Sequence, residues 1–106
     1  MAKIDLLKRL AARYRKAYPQ LKFSIKRVEL QGHFALTSHR MDDGTFVIEI
    51  DKQERPPAAC FILAHEMAHA LSWHLCPAGE DHAKPFWDAY QRAYEIYEKF
   101  CDEVNK

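Results

Sequence analysis

Residues 61–74 read FILAHEMAHALSWH, and three of them have types and spacing suited to chemistry. His65 and His69 are four apart, so on a helix they lie about 40° from one another around the axis and about 6 Å apart along it. Two imidazoles in that relation can hold one divalent cation. Glu66 stands about 100° further round than His65, beside the cation rather than on it. The labour divides by residue type: imidazoles ligate, the cation makes a water acidic, and the carboxylate takes the proton. That chemistry is metal-assisted hydrolysis. The competing reading is a helix whose histidines are satisfied at the surface or in the core.

A hydrolytic zinc site uses three protein ligands and keeps one position open. The third is expected downstream, after the chain has turned back. Candidates are His74, Cys76, Glu80, Asp81 and His82. His74 is nine residues from His65 and half a turn out of phase, so it points away. Cys76 follows the helix so closely that it reads better as packing. Glu80 and His82 both stand at the start of the next helix, and spacing alone leaves both open. Three imidazoles would favour zinc.

These residues need a scaffold. Ile4, Leu7, Leu10, Ala11, Tyr14 and Tyr18 recur at helical spacing, predicting an amphipathic helix over 3–18 that Pro19 ends. Strands are expected within 21–30, with an irregularity near Lys26-Arg27, and at 33–39 and 45–51, the last two joined as a hairpin by the Asp43-Gly44 turn. Pro57 suits the first turn of a helix over 57–75. That helix is apolar around most of its circumference, so His65, Glu66 and His69 should be partly buried and in need of partners, which one cation would supply. Pro77 and Gly79 interrupt it. A last helix over 82–104 has Asp81 as its expected N-cap and Pro85 in its first turn. The order α-β-β-β-α-α is an α+β domain, helices packed on a small three-stranded sheet, filling residues 1–106 as one unit.

HEMAHAL, a loop, and then DHAKPFW resembles the SprT-like zinc metallopeptidases, in which HExxH is followed by a second helix opening with His and, shortly after, Phe or Phe-Trp. The resemblance covers roughly residues 30–92 and rests most on 61–69 and 81–87. It implies a small zincin-like catalytic domain holding one Zn²⁺ per chain through His65, His69 and His82, with Glu66 as general base. It implies a protein or peptide substrate laid as an added strand along an edge strand at about 32–38. The inter-helix loop is short, and the zinc-ribbon and DNA- or ubiquitin-binding extensions of larger members are not in this sequence. Small gluzincin-type peptidases use a glutamate as third ligand, the role Glu80 would take.

Composition sets outer bounds. Of the 106 residues, 48% are hydrophobic and 29% charged, which is ordinary globular usage. The first twenty residues carry six Lys or Arg and no apolar run like that of a secretion signal, so a cytoplasmic location with reduced Cys60, Cys76 and Cys101 is expected. The longest apolar stretch, at 57–75, is interrupted by His and Glu and does not read as a membrane span. Residues 1–30 hold nine Lys or Arg against two acids, and residues 31–106 hold seven against thirteen. The basic first helix, through Arg9, Arg13, Arg15 and Lys16, could contact nucleic acid weakly, making the chain a zinc-containing adaptor without proteolysis. The plainer reading is a solvated helix face. A third reading is a latent peptidase whose N-terminal segment covers the cleft. Oligomeric state has no signal in the sequence.

Other side chains are weighed in the same way. Tyr90, Tyr94 and Tyr97 form a stripe that reads as core, although one could donate to an oxyanion. Phe86 and Trp87 are expected to pack the last helix on the HEMAH helix. Asp88 is either a hydrogen-bond partner for a ligating imidazole or a solvated position. His33 and His39, on or near the expected edge strand, could line a substrate cleft, although exposed strand residues are the plainer reading, and Cys60 reads as core.

Overall fold

The structure, a computed structural model, describes residues 5–105. It has the expected α+β order: α1 (Leu6–Ala17), β1 (Phe23–Val28), β2 (Ala35–His39), β3 (Phe46–Asp51), α2 (Pro56–Ser72) and α3 (Lys84–Val104). The predicted start of the first helix, at residue 3, lies outside the described residues. Asp5 caps the helix, its carboxylate accepting from the Lys8 N–H at 3.1 Å.

The sheet order is β1-β3-β2. β2 and β3 form the expected antiparallel hairpin, Ala35 opposite Ile50 and His39 opposite Phe46. Gly44 closes its turn at φ 75, a left-handed conformation that favours glycine. β1 pairs in parallel with β3, one residue to one residue from Phe23–Phe46 to Val28–Asp51. The irregularity expected at Lys26-Arg27 is therefore absent. The break in alternation there has another cause: β1 is an edge, and Arg27 turns its guanidinium along the sheet to the carbonyls of Asp51, Lys52 and Glu54.

α2 lies at the centre. It packs on β2, β3, α1 and α3, which explains why it is apolar all round. Leu63 and Met67 of α2, Leu10 of α1, and Ile48 and Ile50 of β3 are fully buried in one cluster. Each such side chain contributes about 1.5–3 kcal/mol through removal from water, and Leu63→Ala would cost about 2–5 kcal/mol. Tyr14 is buried in the same core and donates its hydroxyl to the Ala93 carbonyl at 2.7 Å, tying α1 to α3. Cys60 is core, and burial pushes its thiol up to about 11. A smaller cluster of Ala68, Phe86 and Ala89 joins α2 to the start of α3.

Both helix boundaries around the loop differ from the sequence expectation. α2 stops at Ser72, and the chain turns from there to Cys76. α3 begins at Lys84, with Ala83 rather than Asp81 in the capping position and no side-chain cap. Pro85 is the reason: it has no N–H and its ring blocks the carbonyl four residues back. In a helix starting at His82 it would occupy the first position that must donate. Starting at Lys84 puts Pro85 in the first turn, where no donor is needed. Among the described residues no helix is long and apolar enough to cross a membrane.

Candidate metal centre and cleft

His65 and His69 project from one face of α2 with ring centroids 4.9 Å apart. His82, on the loop before α3, brings its ring to 5.5 Å from His65 and 4.8 Å from His69. The late start of α3 thus leaves His82 on loop backbone, facing α2. Among the described residues, His65, His69 and His82 each offer a ligand atom, and these atoms all lie within 4.8 Å of one another. The trio could form a metal site. A zinc ion needs nitrogens at about 2.0–2.1 Å, and His82 is the exposed member of the trio.

Phe86 fixes the trio from below. It is fully buried, and its ring lies 5.1 Å from His65, 4.5 Å from His69 and 4.7 Å from His82. Trp87 departs from expectation. It is 55% exposed and flanks His82 at 6.1 Å rather than filling the helix–helix interface. On a helix two consecutive residues point about 100° apart, so Phe86 and Trp87 cannot both face α2. Tyr90 is half-buried, 6.0 Å from the His65 ring, and begins an aromatic run through Tyr94 to Tyr97.

Electrostatics suit a cation. Burial, and then neighbouring histidines, lower the pKa of His65 and bring His69 down to about 4. Both are therefore neutral near pH 7, the form that ligates. Glu66 is buried, and burial raises its pKa against the opposing pull of Thr37 and His82. Its carboxylate accepts at Oε1 from the Thr37 hydroxyl at 2.7 Å. Thr37 belongs to β2, and the sequence reading did not single it out. No local pattern marks it, because the contact joins residues 29 apart.

None of the remaining candidates joins the histidine group. His74 packs against His39, with centroids 5.2 Å apart. Glu80 is exposed and outside the histidine group. Cys76 directs its thiol to the Asp81 carbonyl at 3.7 Å. Asp88 pairs with Lys84 at 2.9 Å on the solvated face of α3. His33 is exposed before β2 and lines the cleft beside Glu66, while His39 is half-buried, lines neither lobe and stacks on Phe46 at 4.5 Å.

A cleft passes over the site in two lobes. One, of about 380 Å³, runs between β2 and the α2–α3 loop, lined by Leu36, Thr37, Trp73, Pro77 and Asp81. The other, of about 360 Å³, lies toward the start of β2. Ala35, His65 and Glu66 line both. The strand beside the cleft begins at Ala35, so only the later part of the expected 32–38 segment is strand. β2 is an edge. The Arg40 N–H bonds the Thr45 carbonyl and the Asp51 N–H bonds the Phe34 carbonyl. Residues alternate along an antiparallel pair, so the main-chain groups of Ala35, Thr37 and His39 face outward.

Comparison with protein-family models, with curated proteins and with solved structures gives no match.

Proposed function

We propose that this chain is a zinc-dependent peptidase of the SprT-like kind, hydrolysing peptide bonds in extended protein or peptide segments. One observation carries the reading: three imidazoles from two elements gather beside a buried carboxylate at an open sheet edge. His65, His69 and His82 would hold the ion. When bound, zinc supplies Lewis acidity, making a water acidic near neutral pH and polarising a carbonyl. The chain's own residues do the rest. The outward main-chain groups of β2 would hold the substrate as an added strand, a mode that draws affinity from the backbone. Thr37 occupies Oε1 of Glu66, leaving Oε2 to accept a proton from the attacking water and return it to the leaving amine. Burial of Glu66 supports that role, since a carboxylate whose pKa is raised is a stronger base and takes a proton from water more readily.

The nucleic-acid reading has less support. Arg13 pairs with Glu103, Arg9 lies over the Phe100 ring, and Arg15 lies over the Phe23 ring at 4.4 Å. Nor do the described residues favour an N-terminal cover. Leu7, Leu10, Ala11 and Tyr14 of α1 are core, and α1 lines neither lobe of the cleft.

Metal analysis of protein purified without added metal tests the centre. The expected result is one zinc per chain, lost in His82→Ala and kept in Glu80→Ala. Zinc lost only in Glu80→Ala would move the third ligand, and a wild type that takes up no zinc on titration would end the reading. Glu66→Gln should retain zinc and lose cleavage by at least about 100-fold.

A further inference from the structure

We propose that the lobe toward the start of β2 is a side-chain pocket that selects a large apolar or aromatic substrate residue next to the cleaved bond. The inference rests on the peptidase reading and names its substrate class. Two large aromatics are left in water here, Phe34 at 72% and Phe61 at 45% exposure. They come from different elements, the bend before β2 and the first half of α2, yet line the same groove. Ala35 and Ile62 complete its apolar wall, and His65 and Glu66 form its inner end.

Scattered exposed apolar residues need no explanation, but apolar residues that converge on a concave site with a few polar groups at one end mark a ligand pocket. Continuity decides the occupant. Ala35, His65 and Glu66 line both lobes, so whatever lies across Glu66 must also run past Phe34 and Phe61. Among the described residues the only carboxylate lining the groove is that of Glu66, and the imidazoles of His33 and His65 line it too. An acidic substrate side chain there would meet a carboxylate. A phenyl or branched aliphatic group would instead displace water from both aromatic faces.

Direction follows from strand pairing. An added strand is more stable antiparallel, which places its C-terminal part at the start of β2, where the groove lies. The selected residue is then the one on the C-terminal side of the cleaved bond, so it becomes the new amino terminus. The other lobe has a different character: Thr37, Ser72 and Asp81 bring polar groups to its lining.

The test uses the full zinc-loaded chain and an unfolded protein substrate, with new amino termini read by mass spectrometry. Phe, Tyr, Trp, Leu, Ile and Met should dominate. In matched peptides, Phe at that position should be cut at least about tenfold faster than Ala. Phe34→Ala, which removes a mostly exposed ring, should reduce that ratio severalfold. Phe61→Ala should do the same, with thermal unfolding confirming the fold. Binding of the same peptides to Glu66→Gln, followed by anisotropy, separates the two proposals. Cleavage with no residue preference overturns the pocket and leaves the peptidase. An absence of cleavage with Phe still bound tighter than Ala overturns the peptidase and supports the pocket. Equal binding of both peptides, unchanged by Phe34→Ala, overturns the pocket.

Discussion

The sheet has two edges, and the chain treats them in opposite ways. On β1 the Phe46 N–H bonds the Lys22 carbonyl and the Lys52 N–H bonds the Val28 carbonyl, so Phe23, Ile25 and Arg27 turn their main-chain groups outward. That edge is blunted. Arg15 donates to the Phe23 carbonyl at 3.2 Å, α1 flanks the strand across a groove lined by Leu7, Ala11 and Arg15, and Lys26 and Arg27 add charge. Lysine, arginine and a covering helix are common devices against edge-to-edge pairing. β2 has none of these: Ala-Leu-Thr-Ser-His carries no Lys, Arg, Asp or Glu, and what lies beside it is the cleft. On the proposed reading, the bare edge is the one that receives the substrate strand.

The largest effect should come from closing the bare edge. In Ala35→Pro the lost N–H faces outward, so no ladder bond within the sheet is broken, and proline is tolerated at such a position. The added strand loses that bond, and the ring hinders a neighbouring one. At about 1–1.5 kcal/mol each, the two amount to roughly a 100-fold fall in kcat/KM on the proposed reading, with zinc content unchanged. Arg27→Pro on β1 removes an equally outward N–H and should leave kcat/KM within about twofold, although the melting temperature falls with the guanidinium's contacts. Equal effects at the two edges would erase the distinction between them.

A smaller effect is expected where the bare edge meets the carboxylate. Thr37→Val keeps the shape of the side chain but removes the only hydrogen bond to the Glu66 side chain among the described residues. Loss of about 1–1.5 kcal/mol of positioning corresponds to roughly a tenfold fall in kcat. KM should stay within about twofold, and Thr37→Ser should restore the rate. Full kcat in Thr37→Val would mean that the hydroxyl merely satisfies a buried group.

What could be read in advance follows from range. The HEMAH helix, the Asp-Gly hairpin and the stripe of α3 are written in residues a few positions apart, and all three are in the structure. His82 was reachable because its surroundings, DHAKPFW, form a contiguous pattern. The distinction between the edges was not reachable. It depends on β1 pairing in parallel with β3 across 23 residues, and parallel or antiparallel order leaves no mark in the alternation of one strand. Thr37 was missed for the same reason. The start of α3 was misplaced for a local one: Asp81 is a good capping residue, but Pro85 outweighs a favourable cap because its cost in a helix interior is about 3 kcal/mol against about 1 kcal/mol for the cap.

The guarded edge offers the subtlest test. Arg15→Ala withdraws the donor from the outward Phe23 carbonyl and removes the cation from the Phe23 ring. The side chain is mostly in solvent, so the cost in stability is modest, about 1 kcal/mol, or a melting temperature lower by about 4–8 °C in a domain of this size. Cleavage should not change, since Arg15 lines neither lobe of the cleft. Self-association should change. With one carbonyl unprotected, β1 becomes a second edge able to accept a strand, and light scattering should show more concentration-dependent association than in the wild type. Stronger association in Arg15→Ala with cleavage intact would show that the edges are separable, one kept closed for solubility and the other left open for substrate. A variant that associates no more than the wild type would assign the guarding of β1 to Lys26 and Arg27 instead of the Arg15 guanidinium.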